Sequence, residues 1–263
     1  MTAAVELRGL SFHFDDATPA LVDVSFSVAA GERVAILGAN GAGKSTVLLH
    51  LAGILPDHDG SGHGTGEVAI FGERLGPATV DAARKHVGLL FQDPDDQLFC
   101  PTVGEDVAFG PKQLGLSGDA LGERVASSLA KVGLAGFERR LPHKLSGGEK
   151  KRVGLAGLMA YGPRILAFDE PTSGLDPRAR RQLLDVLSGL DATQIVATHD
   201  LALAAELCPR TLLLDAGRVI ADGPTRELLR DDARMQAHGL GVPRRDLPPH
   251  LLAEADGSPG GER

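Results

Sequence analysis

One stretch of eight residues has the types and the spacing of a phosphate-binding loop, G-x-x-x-x-G-K-[ST]: Gly38, Ala39, Asn40, Gly41, Ala42, Gly43, Lys44 and Ser45. It follows the apolar run Arg33–Leu37 and precedes a predicted helix over Ser45–Ile54, which is the context that the pattern requires. Glycines let backbone N–H groups turn towards phosphate oxygens, and a helix N-terminus adds unpaired donors. We therefore expect Lys44 near the β- and γ-phosphates of a nucleotide, the Ser45 hydroxyl on Mg²⁺, and Thr46 supporting the phosphates.

Two carboxylates end the run Arg164–Glu170, in which four apolar residues precede them. In open α/β sheets, ligands bind at the carboxyl edge of the strands. Asp169 is predicted to hold Mg²⁺ through water, and Glu170 to orient and deprotonate the attacking water. Two acids after a strand could also form a solvated turn. Beside a phosphate loop the catalytic interpretation is favoured, because Mg²⁺-nucleotide chemistry requires such a carboxylate.

The elements that must position these residues show two kinds of hydrophobic pattern. Near the N-terminus, apolar and polar residues alternate as in half-buried antiparallel strands, over Val5–Phe14, Leu21–Val28 and Glu67–Phe71. Short apolar strands flanked by helical patterns predict an α/β fold with a parallel sheet, over Arg33–Leu37, Val87–Phe91, Ile165–Phe168 and Ile195–Thr198. Pro94–Arg152 is predicted as an inserted helical segment, and Arg210–Ile220 as a hairpin turning at Ala216-Gly217.

Composition sets limits on the function. The chain has 263 residues, a formal net charge of −8 and 4% aromatic residues, which is poor material for a surface that stacks nucleic-acid bases or neutralises phosphates. Its two cysteines are expected to be free thiols in a reducing compartment. No signal peptide and no apolar run of about 18 residues is visible, so the chain alone is expected to be soluble, and a membrane role would require a separate partner.

Two segments lie outside this chemistry. Asp57–Gly66 contains His58 and His63, which could form a metal-binding loop, although a flexible glycine-rich surface loop is the favoured interpretation. From residue 241 to 263 proline, glycine and arginine increase. This extension is expected to be partly disordered, particularly from Ala255 onwards.

A further motif, Leu145-Ser146-Gly147-Gly148-Glu149, stands shortly before the acidic strand. Together with the phosphate loop, the run FDEPTSGLD and a histidine after Ile195–Thr198, it gives the region from Val5 to Leu229 a specific resemblance to the ATPase subunits of ABC transporters. The resemblance implies a P-loop NTPase (RecA-like) core with an antiparallel β subdomain and an inserted helical subdomain at about 94–152, in an ATPase domain over residues 1–240.

The same resemblance implies that two subunits pack head to tail, with ATP between the phosphate loop of one and Ser146, Gly147 and Gly148 of the other. It assigns Glu170 as general base and Gln92 as a contact to Mg²⁺ and water. Further implied roles are His199 at the γ-phosphate, Asp176 in the loop that reaches across the dimer, and Phe14 stacked on adenine. Phe14 could equally belong to the core, and Phe12 is nearby. Glu149 stands where relatives usually have Gln, a change expected to leave the Ser and Gly donors intact.

The run Phe91–Phe99, FQDPDDQLF, and the run LSGGEKKRV resemble the ATPases of energy-coupling-factor (ECF) importers. This likeness implies an integral membrane coupling subunit and a substrate-specificity subunit as partners, a position at the cytoplasmic face of the membrane, and cobalt or nickel as the favoured cargo. A homodimer is expected, and a heterodimer with a related ATPase is the alternative.

Other functions are an importer of another solute, such as a vitamin, a soluble ATPase acting on nucleic acid, or a nonhydrolytic regulatory subunit. The single cassette and the acidic charge argue against the nucleic-acid alternative. The intact Lys44, Asp169, Glu170 and His199 argue against a nonhydrolytic subunit. The basic runs Lys150–Arg152 and Arg178–Arg181 are interpreted as solvated helix faces.

Overall fold

The computed structural model describes residues 3–14, 18–56, 63–241 and 247. Its helices and strands follow in chain order: β1 (Ala3–His13), β2 (Pro19–Ala29), β3 (Arg33–Leu37), α1 (Lys44–Leu51), β4 (His63–Ile70), β5 (Glu73–Arg74), α2 (Val80–Arg84), β6 (Val87–Leu90), α3 (Val103–Gln113), α4 (Gly118–Lys131), α5 (Gly147–Tyr161), β7 (Ile165–Asp169), α6 (Pro177–Ser188), β8 (Thr193–Thr198), α7 (Leu201–Leu207), β9 (Arg210–Asp215), β10 (Arg218–Pro224), α8 (Thr225–Leu228) and α9 (Asp232–Ala237).

The central sheet has the strand order β10-β9-β3-β8-β7-β6. Strands β9, β3, β8, β7 and β6 run parallel, and β10 pairs antiparallel with β9. The α/β prediction with a parallel sheet is confirmed. Because consecutive strand side chains point to opposite faces, Ala35 and Leu37 pack into one hydrophobic core whereas Val34 and Ile36 pack into a second. This two-sided burial explains why β3 is a continuous apolar run.

A separate four-stranded antiparallel sheet has the order β2-β1-β4-β5. Its apolar side chains share the second core with Val47, Leu48 and Leu51 of α1. Helix α1 contacts strands of both sheets, so the helix that follows the phosphate loop is buried between them.

Helices α3, α4 and α5 pack against one another as a helical arm. A capping box starts α3, in which the Thr102 side chain accepts a bond from the N–H of Glu105 and Glu105 bonds back. Val107 of α3, Leu129 of α4 and Leu155 of α5 are fully buried in the first core. Helix α5 also contacts β6, so the arm is joined to the central sheet through α5.

The local predictions hold with three differences. The Ala216-Gly217 turn is confirmed, with φ of 44° and 74°, the left-handed pair of a two-residue hairpin turn. Helix α1 ends at Leu51, three residues before the predicted Ile54. The Ile54 N–H bonds to the Leu49 carbonyl and Gly53 has a φ of 65°, which closes the helix.

Residues 63–66, predicted as part of a flexible loop, instead open strand β4, and residues 63–65 pair with residues 11–13 of β1. No hydrophobic pattern in the sequence predicted the short elements β5, α2, α8 and α9. Within the described parts of the chain, no helix combines the length and the apolar character that crossing a membrane requires.

Strands β1 and β4 pair in one sheet and approach each other closely at Gly66. Gly66 has a φ of 96°, and a Cβ there would lie 2.4 Å from the Gly9 carbonyl oxygen, whereas Gly72, with a φ of 82°, has open space. Gly72→Ala should reduce the free energy of unfolding by about 1–2 kcal/mol through its left-handed backbone alone. Gly66→Ala should lose a further ~1–3 kcal/mol from the overlap. Urea unfolding of both variants checks this, and equal losses would contradict the steric argument.

Candidate nucleotide site

The phosphate loop lies at the carboxyl ends of the parallel strands and requires its glycines for two reasons. Gly41 and Gly43 have φ of 81° and 101°, a conformation that favours glycine. At Gly38 a Cβ would lie 2.3 Å from the Leu214 carbonyl oxygen, and at Gly43 it would lie 2.6 Å from that of Ala20. The loop is therefore pressed against β2 and β9, and no larger residue fits at either position.

The Lys44 side chain is 6% exposed. Its Nζ donates to the carbonyl oxygens of Gly38 at 2.8 Å and Ala39 at 3.1 Å. It also lies 3.6 Å from Oε1 of Glu170, whose side chain is equally buried. The loop thus carries a buried positive charge whose present counter-ion is the carboxylate predicted to act as general base.

Glu170 has a φ of 43°, although it is not glycine. Its carboxylate accepts bonds from Thr198 Oγ1 at 2.9 Å, from the backbone N–H of His199 at 3.0 Å and from His199 Nδ1 at 2.7 Å. A carboxylate only accepts, so Nδ1 of His199 carries the proton and the outer nitrogen of the ring remains for another partner. A strained backbone held by several bonds is typical of a functional position.

Asp169 fits the role of a Mg²⁺ ligand. Its Oδ1 is buried and has no hydrogen-bond partner among the described residues. Burial raises the pKa of Asp169, whereas a hydrogen bond from the Ser45 side chain acts in the opposite direction. A buried, unpaired carboxylate oxygen beside a serine hydroxyl is an oxygen donor set suited to a hard divalent cation.

These residues surround one open cleft of about 500 Å³. The cleft brings together most of the residues predicted for the nucleotide: Phe14, Asn40, Gly41, Gly43, Lys44, Ser45, Thr46, Gln92, Asp169 and Glu170. Phe14 lines this cleft and is 43% exposed. Its ring stands edge-on to the buried ring of Phe12, with 5.0 Å between the ring centroids. Phe12 is therefore part of the core, whereas the exposed ring of Phe14 is accessible to a ligand.

Ser146, Gly147, Gly148 and Asp176 lie elsewhere, in a second cleft that shares none of the first cleft's lining residues. Ser146 caps α5, and its hydroxyl donates to Glu149 Oε2 at 2.8 Å. The Glu149 carboxylate thus binds the Ser146 hydroxyl, and the expectation that the Ser and Gly donors stay intact for a nucleotide remains a prediction. Asp176 caps α6 through bonds from the N–H groups of Arg178 and Ala179.

Sequence reasoning missed two site residues. Thr198 is fully buried and binds Glu170, a role that the β8 pattern could not reveal. Lys151 is 4% exposed, so the interpretation of Lys150–Arg152 as a solvated face is wrong. Lys150 itself lies 2.6 Å from Asp95 Oδ1. In the other basic run, Arg178 and Arg181 are exposed as predicted.

The suggested metal loop is not supported. His58 lies outside the described residues, and the His63 ring faces that of His13 on β1, at 5.3 Å between centroids. Within the residues that the structure describes, no group of three or more metal-binding side chains occurs. Cys100 and Cys208 are free, as predicted, and burial raises the pKa of Cys208 to about 12.

Comparison with known proteins decides the family. The ABC transporter family model matches residues 21–173. The chain belongs to the ABC transporter ATP-binding family. The energy-coupling factor transporter ATP-binding protein EcfA of Methanothermobacter thermautotrophicus is 47% identical over 245 residues, covering 91% of this chain and 77% of that protein.

Two solved structures extend the comparison. The structure of cbiO1 from Clostridium perfringens, part of the ABC transporter complex cbiONQ, superposes with a TM-score of 0.77 at 32% identity, over 93% of this chain and 98% of that chain. A dimeric post-hydrolysis state of the ATP-binding cassette MJ0796 bound to ADP and Pi superposes with a TM-score of 0.74 at 26% identity, over 84% and 98%. This ABC protein is thus an ATPase with a P-loop NTPase core, and its ligands are ATP and Mg²⁺.

The ABC ATPase offers a test of the Glu149 cap. Bonds from the Ser146 backbone N–H and hydroxyl lower the pKa of Glu149. The ionised carboxylate therefore stabilises the fold above the ordinary Glu pKa of about 4.3, and this contribution is lost as the pH falls through the lowered value. At pH 7, Glu149→Gln should cost ~0.3–1 kcal/mol through the lost charge at the helix N-terminus.

Glu149→Ala should cost about 1 kcal/mol more, because the bonds from the Ser146 N–H and hydroxyl to the side chain are lost, whereas the backbone N–H of residue 149 still donates to Ser146 Oγ. Urea unfolding at pH 7 and again at about pH 3, below the ordinary Glu pKa, checks both variants. A gap between wild type and Glu149→Gln that does not shrink at the lower pH would contradict this account of the cap.

Proposed function

We propose that this chain is the ATP-hydrolysing subunit that powers an ECF-type membrane importer, with cobalt or nickel ions as the cargo. The observation that carries the ATPase half of the proposal is the cluster at the phosphate loop, in which the half-exposed His199 binds the carboxylate of the buried Lys44–Glu170 pair. The importer half is supported by the likeness to EcfA and to cbiO1 and by the run Phe91–Phe99.

In the proposed reaction Glu170 is the general base. Its carboxylate orients water for attack on the γ-phosphate and takes the proton. Lys44 and His199, which contact this carboxylate, are also the groups assigned to the terminal phosphate. A triphosphate would therefore compete with Glu170 for Lys44 and His199, and its arrival would free the carboxylate to bind water. Phe14 would stack on adenine at the open edge of the cleft.

The remaining loop residues supply backbone N–H groups and the hydroxyl of Thr46 to the phosphates. Ser45, Asp169 and Gln92 would hold Mg²⁺, which neutralises phosphate charge when bound. Gln92 lines both the nucleotide cleft and a neighbouring cleft beside α5. It would therefore also couple changes at the nucleotide site to the helical arm.

We propose a complete site made from two copies of the chain. Ser146, Gly147 and Gly148 begin a helix, where N–H groups form an anion site, but they lie in a cleft separate from the phosphate loop of their own chain. In a head-to-tail dimer they would face the γ-phosphate bound by the partner copy, with Asp176 beside them. The MJ0796 cassette, described as dimeric, supports this arrangement. A homodimer suffices because each chain carries both halves.

The membrane partners would dock beside the arm at the cytoplasmic face. Phe99 and Phe109 are 67% and 45% exposed, and their rings pack edge-to-face at 5.0 Å between centroids. Asp106 Oδ1 fixes this segment by accepting bonds from the N–H groups of Phe99 and Cys100. An exposed aromatic pair on a braced loop indicates an interaction site, and we assign it to the integral coupling subunit, which in turn binds the specificity subunit.

The catalytic proposal predicts two different losses. Glu170→Gln should reduce kcat by at least about 100-fold while retaining ATP, because the loop and Lys44 are intact. Lys44→Ala should lose nucleotide binding itself, because it removes the cation of the cradle. Steady-state hydrolysis and equilibrium binding of a fluorescent ATP analogue measure both, and turnover by Glu170→Gln at the wild-type rate would refute its role as base.

The docking proposal is tested with the Phe99→Ser/Phe109→Ser double variant. Ile220→Ser is the matched control, because Ile220 is 42% exposed on β10, away from the arm. The tagged wild type and the control should recover the same polytopic proteins from detergent-solubilised native membranes, and the double variant should not. Recovery of the same proteins by the double variant would contradict the assigned surface. Failure of the wild type to retain any membrane protein would contradict the importer function.

A further inference from the structure

Lys151 is a buried lysine that none of the assigned roles explains. It lies in the second turn of α5, with 4% of its surface exposed, and lysine is rarely buried so completely unless its ammonium group is paired. Its Nζ donates to the carbonyl oxygen of Glu170 at 3.0 Å and to that of Ser173 at 2.8 Å. The helical arm therefore inserts a cation into the turn that directly follows the catalytic strand β7.

This turn fixes the direction of the Glu170 side chain. Glu170 is in the left-handed region, with a φ of 43°, a strained conformation that persists only where the surroundings enforce it. On the backbone, the Glu170 N–H bonds to the Ala197 carbonyl at 2.9 Å, and its carbonyl accepts from the Ser173 N–H at 3.1 Å. Among these groups that bond to the Glu170 backbone, the Lys151 ammonium group is the one that belongs to the helical arm.

The charges around Lys151 agree with a cation at this place. Burial lowers the pKa of Lys151, whereas the carboxylates of Glu170, Asp93 and Asp169 favour its charged form. Lys151 lines a cleft together with Gln92, Asp169 and Ser173, whereas Lys44 lines the nucleotide cleft. Asp169 at the end of β7 and Glu170 directly after it thus interact with one lysine from the phosphate loop and one from the helical arm.

Helix α5 connects Lys151 to Ser146, so the contact between Lys151 and the turn after β7 is linked to the helix start. Gly147 lines the same cleft as Lys151, one helical turn earlier, and Ser146 precedes Lys151 by about 7.5 Å of helix rise. A Cβ at Gly148 would lie 3.1 Å from that of Ala179 on α6, so the start of α5 is packed closely against α6. A movement of this helix start would carry the Lys151 ammonium with it.

We propose that Lys151 is a positioning residue for hydrolysis, which holds the turn after β7 so that the Glu170 carboxylate points into the nucleotide cleft. The inference rests on the catalytic role of Glu170 given under the proposed function. It adds that the helix capped by Ser146 in one chain is fastened to the general base of that same chain. A contact between Ser146 and nucleotide bound to a partner copy would therefore change the position of the Glu170 carboxylate.

The test compares Lys151→Met with wild type in the purified full-length chain. Methionine fills a similar volume without donors, so kcat should fall at least about tenfold, since small displacements of a catalytic group are costly. The affinity for a fluorescent ATP analogue should stay within about twofold, because the phosphate loop is unchanged. Lys151→Arg, which retains charge and donors, should recover most of the rate. Lys131→Met, at an exposed end of α4, should behave as wild type.

A double-mutant cycle separates positioning from general damage. If Lys151 acts through the Glu170 carboxylate, adding Lys151→Met to Glu170→Gln should change the residual single-turnover rate by less than about twofold, since the two effects are not independent. A full additional loss in that background would overturn the proposal, as would wild-type kcat in Lys151→Met or a parallel loss of nucleotide affinity. A Glu170→Gln chain that hydrolyses ATP normally would instead contradict the catalytic assignment.

Discussion

A buried pair of opposite charges lies at the phosphate loop, and the elements around the nucleotide cleft supply the groups that hold it. Lys44 and Glu170 lie 3.6 Å apart with 6% of each side chain exposed, and removing two such charges from water costs several kcal/mol per ion. The chain offsets this cost with fixed donors and acceptors. The Gly38 and Ala39 carbonyls bind the ammonium group, and Thr198 and His199 bind the carboxylate.

This arrangement explains the shape of the core around it. The acceptors of Lys44 require a loop whose glycines approach neighbouring backbone closely, which β2 and β9 provide at Ala20 and Leu214. The donors of Glu170 come from the end of the adjacent parallel strand β8 and the residue after it. Because the groups that hold this pair are fixed by the surrounding strands, the charged groups that would meet a triphosphate are already gathered at the phosphate loop.

The sequence predicted the residues whose role depends on local pattern. The phosphate loop needs consecutive glycines before a helix, and the acids need only a strand end, so both could be recognised without knowing the fold. The burial of Lys151 depends on which face of α5 meets the turn after β7, and a run of three basic residues carries no sign of it. Residues 63–66 lack the apolar alternation of a strand, and their place in β4 comes from pairing with β1.

Because Ser146 and the phosphate loop line separate clefts within one chain, we propose that two copies enclose each triphosphate. This proposal is tested most directly by mixing two variants that are each expected to be inactive, Lys44→Ala and a Ser146 variant with a bulky side chain such as Ser146→Phe. A mixed dimer would contain one intact site, made from the loop of the Ser146 variant and the helix start of the Lys44 variant. Hydrolysis is expected to reappear on mixing, and a mixture that stays as inactive as its components would contradict a site shared by two copies.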